Sequence, residues 1–246
     1  MTDILLINPN TTASITDLVL KVAQQFASPG TRLRAVSGAF GPRYIASRVG
    51  YAIAGHAAVD ALANDTGAKD AVVLACFGDP GLDALKEIAG VPVVGMADAA
   101  ILQACALGKR FSIVTGGERW KPMLEEFVAA HGLAARLASV RTVAPTGADI
   151  ARDPDATLSL LAGSCTACAV EDAADVVILG GAGLAGLAAK LAPQVEVPLL
   201  DGLACAISMA EALAGQNPAK ARRGPFAPPA PVASTGLSPA LAKLIG

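Results

Sequence analysis

Short apolar runs recur along the chain, each ending in a polar or glycine-rich turn and each followed by an alanine-rich stretch. Runs of this kind predict buried strands near residues 3–8, 32–37, 71–75 and 92–95, and again near 111–115, 136–143, 176–180 and 197–200. They are continuous rather than alternating, the pattern of strands covered on both faces, as in parallel sheets. The intervening stretches, rich in Ala and Leu, predict helices, one of them over 156–172. The expected class is α/β.

The pattern is duplicated. Asp70-Ala-Val-Val-Leu-Ala-Cys76 resembles Asp175-Val-Val-Ile-Leu-Gly-Gly181: an acidic residue, four strand residues, a small residue, then a turn. A Val-Pro strand follows in both places, at Val91-Pro-Val-Val and at Val197-Pro-Leu-Leu. Upstream, the strand ending in Ile7-Asn-Pro-Asn10-Thr has its counterpart in Phe111-Ser-Ile-Val-Thr115-Gly116. The expectation is two pseudo-symmetric βαβ-type halves, each a four-stranded parallel sheet flanked by helices. Residues 1–97 form the first half, completed by part of 205–246, and 98–204 form the second. Right-handed crossovers bring all strand C-termini to one edge of each sheet, where ligands bind. An active site in the cleft between the halves, with positions 76 and 181 facing each other, is expected. The proline-rich segment 216–232 reads as an extended strap, and 238–245 as a short helix.

Composition narrows the function classes. Of 246 residues, 53% are hydrophobic and 16% charged, enough apolar mass for a large core. The net charge of −2 and the isolated pairs Lys109-Arg110 and Arg222-Arg223 give no basic footprint for nucleic acid. No apolar run reaches the roughly 18 residues of a membrane span, and the first apolar run is too short for a signal segment, so a cytoplasmic, membrane-free protein is expected. Five cysteines without a secretory signal point to reduced thiols. Two histidines are too few for much of a metal site, and Cys165 and Cys168, a lone C-x-x-C in a helix, read as core packing. Cys105 and Cys205, at related positions on alanine-rich helices, read the same way. No metal site is expected.

Candidate chemistry gathers at the strand ends. Cys76, at the end of an apolar strand and ahead of Gly78 and Pro80, reads equally as a catalytic thiol near a helix start or as a small buried hydrophobe. Asn10 and Thr11 read as helix caps or as ligand contacts, and Asp79 as a cap for the next helix or as a residue that orients the loop. Gly181-Ala182-Gly183-Leu-Ala-Gly186 fits G-x-G-x-x-G after a strand, with Asp201 ending the next strand, so a dinucleotide-binding oxidoreductase is a rival. Against it, only 45 residues follow Asp201, and the turn has a repeat partner at Cys76 that lacks the motif.

Ile7-Asn-Pro-Asn-Thr-Thr, Tyr44-Ile-Ala-Ser-Arg, Cys76-Phe-Gly-Asp-Pro-Gly-Leu, Leu179-Gly-Gly-Ala-Gly-Leu, Phe226-Ala-Pro-Pro and Gly236-Leu-Ser-Pro-Ala-Leu together resemble the aspartate/glutamate/hydantoin racemase superfamily, in its hydantoin and allantoin racemase branch. The resemblance spans essentially the whole chain. It implies a cofactor-independent enzyme and a homo-oligomer, with a cysteine from each half flanking the substrate carbon. The first of these falls on Cys76. The second falls on position 181, where this chain has glycine.

What the resemblance implies is proton removal and return beside a carbonyl of a hydantoin-like or allantoin-like cyclic ureide, with Cys76 as acid/base. A thiol suits this because its free pKa, about 8.5, can be tuned toward neutrality. The substrate-binding positions expected beside it are Asn10, Ile45, Phe77, Gly78, Asp79, Thr115, Gly116, Ala182 and Gly183. Backbone amides at 78–79 and 181–183 would hold the carbonyl, and the loop from Tyr44 would cover the site. With one thiol, an asymmetric decarboxylase or an inactive form is an alternative. A non-catalytic small-molecule binding protein is another.

Overall fold

The computed structural model describes residues 1–143 and 154–246. Two compact units emerge: Met1–Gly95 with Ile207–Gly246, and Met96–Ala206.

The first unit is built on a parallel sheet of β1 (Thr2–Asn8), β2 (Thr31–Ser37), β3 (Ala71–Leu74) and β4 (Val93–Gly95), in the order β2-β1-β3-β4. Helices α1 (Ala13–Phe26), α2 (Arg48–Asn64) and α3 (Leu82–Ile88) make the crossovers. The second unit repeats this arrangement with β5 (Phe111–Gly116), β6 (Leu137–Val143), β7 (Val176–Gly180) and β8 (Leu199–Asp201), in the order β6-β5-β7-β8. Its helices are α4 (Met96–Leu107), α5 (Trp120–Ala130), α6 (Pro154–Val170) and the short α7 (Ala188–Leu191). Helix α8 (Gly202–Gln216) follows β8, and α9 (Pro239–Ile245) ends the chain. The two four-stranded parallel sheets and their strand positions are as the apolar runs predict.

Burial explains why those runs are continuous. Every residue of β3 and of β7 is buried, so neither face tolerates a polar position. In the first unit Leu5, Ile7, Val72 and Leu74 pack with Leu62 of α2 and Leu85 of α3. In the second, Val114, Val177 and Leu179 pack with Leu161, Cys165 and Cys168 of α6. Cys165 and Cys168 are core residues, and burial pushes the Cys165 thiol up to about 12. Among the described residues no group of three or more His, Cys, Asp or Glu is placed to hold a metal ion. Among the described residues no helix is long and apolar enough to cross a membrane.

The repeated acidic residue has a structural explanation. Asp70 accepts the Asp3 N–H at 2.8 Å on its carboxylate, while its own N–H donates to the Asp3 carbonyl at 2.7 Å. Asp175 accepts the N–H groups of Lys109 and Arg110, both at 2.8 Å, and its N–H donates to the Arg110 carbonyl at 2.9 Å. Each aspartate thus satisfies amides at the start of the neighbouring strand that the ladder leaves unpaired. The repeated proline is explained as well. Pro92 and Pro198 precede the edge strands β4 and β8, where a missing N–H costs nothing, and their carbonyls accept the N–H groups of Val72 and Val177, each at 2.9 Å.

The segment 217–238 carries no helix or strand and is tied down at intervals. Lys220 donates to the Lys86 carbonyl, and the Val232 N–H donates to the Ile245 carbonyl at 2.9 Å. Helix α9 is capped by Ser238, which accepts the Leu241 N–H at 3.2 Å, and it packs on α2 with Leu241 buried.

Candidate active site

In the first unit, β1 and β3 are neighbours, with Ile7 paired to Leu74 and the Ala75 N–H donating to the Ile7 carbonyl at 2.8 Å. The two strands therefore end together, and Asn10 and Cys76 lie on the same sheet edge, on adjacent loops. The Asn8-to-Thr12 loop is cross-linked. Asn8 Nδ2 donates to Asn10 Oδ1 at 3.0 Å and to Thr16 Oγ1 at 2.9 Å, and the Thr12 N–H donates to Asn10 Oδ1 at 2.8 Å. Asn10 therefore does not cap α1, whose cap position is Thr12. Its Oδ1 is used in the loop, while its Nδ2 donates to no group among the described residues, leaving a donor at the sheet edge.

Cys76 is 8% exposed. Its carbonyl accepts the Asp79 N–H at 3.0 Å, closing a tight turn in which Gly78 (φ 108°) and Asp79 (φ 55°) are both left-handed. The Asp79 amide is therefore spent inside the turn and is not the carbonyl-holding group that the sequence suggests. Asp79 does not cap α3 either. The cap position is Gly81, with no side-chain bond, and α3 is only seven residues long. The Asp79 carboxylate, 2% exposed, instead lies against Gly95 at the end of β4. Burial raises the Cys76 thiol well above its ordinary value, and the neighbouring Asp79 charge raises it further, so the resting form is the protonated thiol.

Two tyrosines frame the turn. Tyr51, from α2, donates its hydroxyl to the Gly78 carbonyl at 2.8 Å and, more weakly, to the Asp79 carbonyl at 3.4 Å. Its pKa is pushed up to about 12 by burial first and then by the Asp79, Cys76 and Asp83 charges. Tyr44 is exposed. Partial burial of its phenol and the charge of an ionised Cys76 both raise its pKa, so the phenol is within electrostatic reach of the sulfur. Ile45 beside it is buried, and Ser47 caps α2 by accepting the Gly50 N–H at 3.1 Å. Phe77 and Gly78 are buried in the turn.

In the second unit Thr115 of β5 pairs with Gly180 of β7, which sets Gly116 and Gly181 on one sheet edge. Gly181 has φ 125° and ψ 131°, a conformation that side chains rarely adopt. A Cβ there would lie 3.7 Å from both Thr115 Oγ1 and Leu184 Cγ, an ordinary contact distance, so there is space for a side chain although the backbone resists one. Ala182 and Gly183 lie in a 3-10 turn, Ala182–Leu184, with the Leu184 N–H donating to the Gly181 carbonyl at 2.9 Å.

The dinucleotide reading loses its support here. The glycine run opens a 3-10 turn rather than a long helix, and Asp201, which would hold a ribose, is engaged elsewhere. Its carboxylate accepts N–H groups from Gly186 (2.6 Å), Leu203 (2.9 Å) and Ala204 (3.3 Å), and burial raises its pKa against the opposing pull of these bonds. His56 stacks edge-on against Phe40 at 4.8 Å, and His131 Nδ1 donates to the Phe127 carbonyl at 2.8 Å and its ring lies 3.4 Å from Asp98, so both have structural contacts. Tyr51 and Gly95 escaped the sequence reading. Tyr51 lies 25 positions before Cys76, and no local pattern marks a glycine whose neighbour is a buried carboxylate from another loop.

The sequence signature of the Asp/Glu/hydantoin racemase family matches residues 4–210. The chain belongs to this family. It is 36% identical over 212 residues to a hydantoin racemase of Paenarthrobacter aurescens, covering 85% of this chain and 90% of that protein. A hydantoin racemase of a Pseudomonas species is 35% identical over 208 residues, covering 84% of each. The crystal structure of an allantoin racemase from Pseudomonas fluorescens superposes with a TM-score of 0.91 at 32% identity, covering 95% of this chain and all of the other. Relatives named as racemases indicate that this family member is an isomerase.

Proposed function

We propose that this racemase-family protein removes and returns the proton on the carbon next to a carbonyl in a hydantoin-like or allantoin-like cyclic ureide, with Cys76 as the acid/base and no cofactor. The observation that carries the reading is the setting of Cys76: a slightly exposed thiol on a constrained turn at the strand-end edge, in a chain related end to end to hydantoin and allantoin racemases. The Asn10 Nδ2 is the donor for a ring carbonyl, and it stands on the loop next to the thiol.

The chemistry follows from the proton affinity. A carbon acid flanked by a carbonyl is weak, so a thiolate made more basic by burial narrows the gap between base and substrate once it is ionised. The cost is population, because at neutral pH most molecules hold the neutral thiol. Exchange catalysed by the thiolate rises with pH through the neutral range and continues rising to at least pH 9. Inversion, as distinct from exchange, needs a second proton carrier on the opposite face, and residue 181 is glycine.

The test is NMR in D₂O on each enantiomer of allantoin and of a 5-substituted hydantoin, with wild type, Cys76→Ala and Gly181→Cys. Deuterium enters in the wild type and not in Cys76→Ala, and Gly181→Cys raises inversion relative to exchange. A cysteine at 181 meets no clash but carries about 1–3 kcal/mol of backbone strain, which the variant must absorb. Incorporation that persists in Cys76→Ala, or none with any of these ureides, overturns the proposal.

A further inference from the structure

Resting on the assignment of Cys76, we infer that helix α2 is a clamp on the catalytic turn and that Tyr51 is a positioning residue for the Cys76 thiol. The turn that follows Cys76 has two successive left-handed residues, one of them the non-glycine Asp79, and is closed by a bond from the Asp79 N–H to the Cys76 carbonyl. Left to itself, such a turn relaxes toward commoner backbone conformations. Two groups on α2, four residues apart and so on one face of the helix, hold it instead. Tyr51 donates its hydroxyl to the Gly78 and Asp79 carbonyls, the two left-handed residues. Gly55, one turn later, lets the helix backbone meet the backbone of Gly81. A Cβ on residue 55 would lie 3.3 Å from Gly81 N, and one on residue 81 would lie 2.9 Å from Gly55 Cα and O. The turn is thus gripped at 78–79 by a hydrogen bond and at 81 by direct helix contact, with Cys76 two residues before the first grip.

The phenol suits this task. It donates to carbonyls only while protonated, and its raised pKa keeps the proton on well above neutral pH. A phenylalanine at 51 would fill the space without holding the carbonyls, so the role belongs to the hydroxyl.

Tyr51→Phe deletes the hydroxyl alone, and Gly55→Ala leaves it in place but pushes on Gly81. Kinetics of deuterium exchange, the thermal midpoint and the rate at which iodoacetamide labels Cys76, located by peptide mass spectrometry, are measured for both variants and the wild type. Tyr51→Phe lowers kcat about tenfold, in proportion to one lost hydrogen bond. Its KM stays within about twofold, its thermal midpoint stays within a few degrees, and the Cys76 labelling rate changes. Gly55→Ala shifts kcat in the same direction with the hydroxyl intact. An unchanged kcat and labelling rate in Tyr51→Phe, or a loss confined to KM, overturns the inference. The labelling arm needs no substrate, so if the ureides are wrong the exchange signal is missing in the wild type while the labelling comparison still decides the clamp.

Discussion

Gly95→Ala measures how tightly the Asp79 carboxylate is held. An added Cβ would lie 2.2 Å from Asp79 Oδ2, 2.3 Å from Cγ and 2.8 Å from Oδ1, against ordinary contacts of roughly 3.5 Å, so the carboxyl group must move by more than about 1 Å. Its backbone cannot follow freely. The Asp79 N–H is bonded to the Cys76 carbonyl, and the Asp79 carbonyl accepts from Leu82 N–H at 3.2 Å and from the Tyr51 hydroxyl. Overpacking of this kind costs about 1–3 kcal/mol, and a forfeited hydrogen bond adds about 1 kcal/mol. The substitution also stiffens the unfolded chain, which returns about 0.4–1 kcal/mol. The net expectation is a loss of about 1–3 kcal/mol, read from urea denaturation. The control is Gly163→Ala, where a Cβ meets nothing within 4 Å on the exposed face of helix α6; it stabilises by up to about 1 kcal/mol. A double-mutant cycle with Asp79→Gly, which keeps the left-handed backbone and removes the carboxylate, abolishes the cost of Gly95→Ala. An equal cost in that background, or a single-variant loss under about 0.5 kcal/mol, would refute the packing argument.

Charge gives two further expectations. Asp79→Asn keeps the shape and tolerates the left-handed backbone while removing the charge that helps raise the Cys76 thiol, so iodoacetamide labels Cys76 roughly threefold faster or more at pH 8; an unchanged rate removes Asp79 from the account of the thiol. The Cys165 and Cys205 thiols are each pushed up to about 12 by burial, from 9.0. The unfolded chain therefore releases these protons first, and the stability they contribute is complete below pH 9 and lost as pH rises toward 12. Urea denaturation between pH 9 and 10.5 shows a falling stability in the wild type, with a shallower slope in Cys165→Ala and in Cys205→Ala; equal slopes in all three would contradict it.

Much of the fold was legible because buried parallel strands leave an unmistakable trace. Val72, Val73 and Leu74, like Val177, Ile178 and Leu179, are apolar without alternation since both faces of each strand are covered. The duplication of Asp70 and Pro92 in Asp175 and Pro198 was equally visible, because each residue answers a local need of a strand start. Cys76 stood out for the same reason: a strand end followed by turn residues is a local signal.

The bonding of the turn residues was not legible. Sequence spacing allowed Asp79 to cap a helix or orient its loop, and allowed Asp201 to complete a rival dinucleotide fingerprint, yet Asp79 lies on Gly95 and Asp201 on the amides of Gly186, Leu203 and Ala204. The sequence by itself determined the order of strands and helices, the repeat and the loop that carries the thiol, all of which depend on side chains within a few residues of one another. Only the tertiary structure decided that Tyr51 reaches the Gly78 carbonyl, that Gly95 makes way for a carboxylate and that Gly181 takes a conformation side chains rarely adopt. Those outcomes depend on backbone angles and on neighbours brought in from distant strands, and neither is written in the local order of residues.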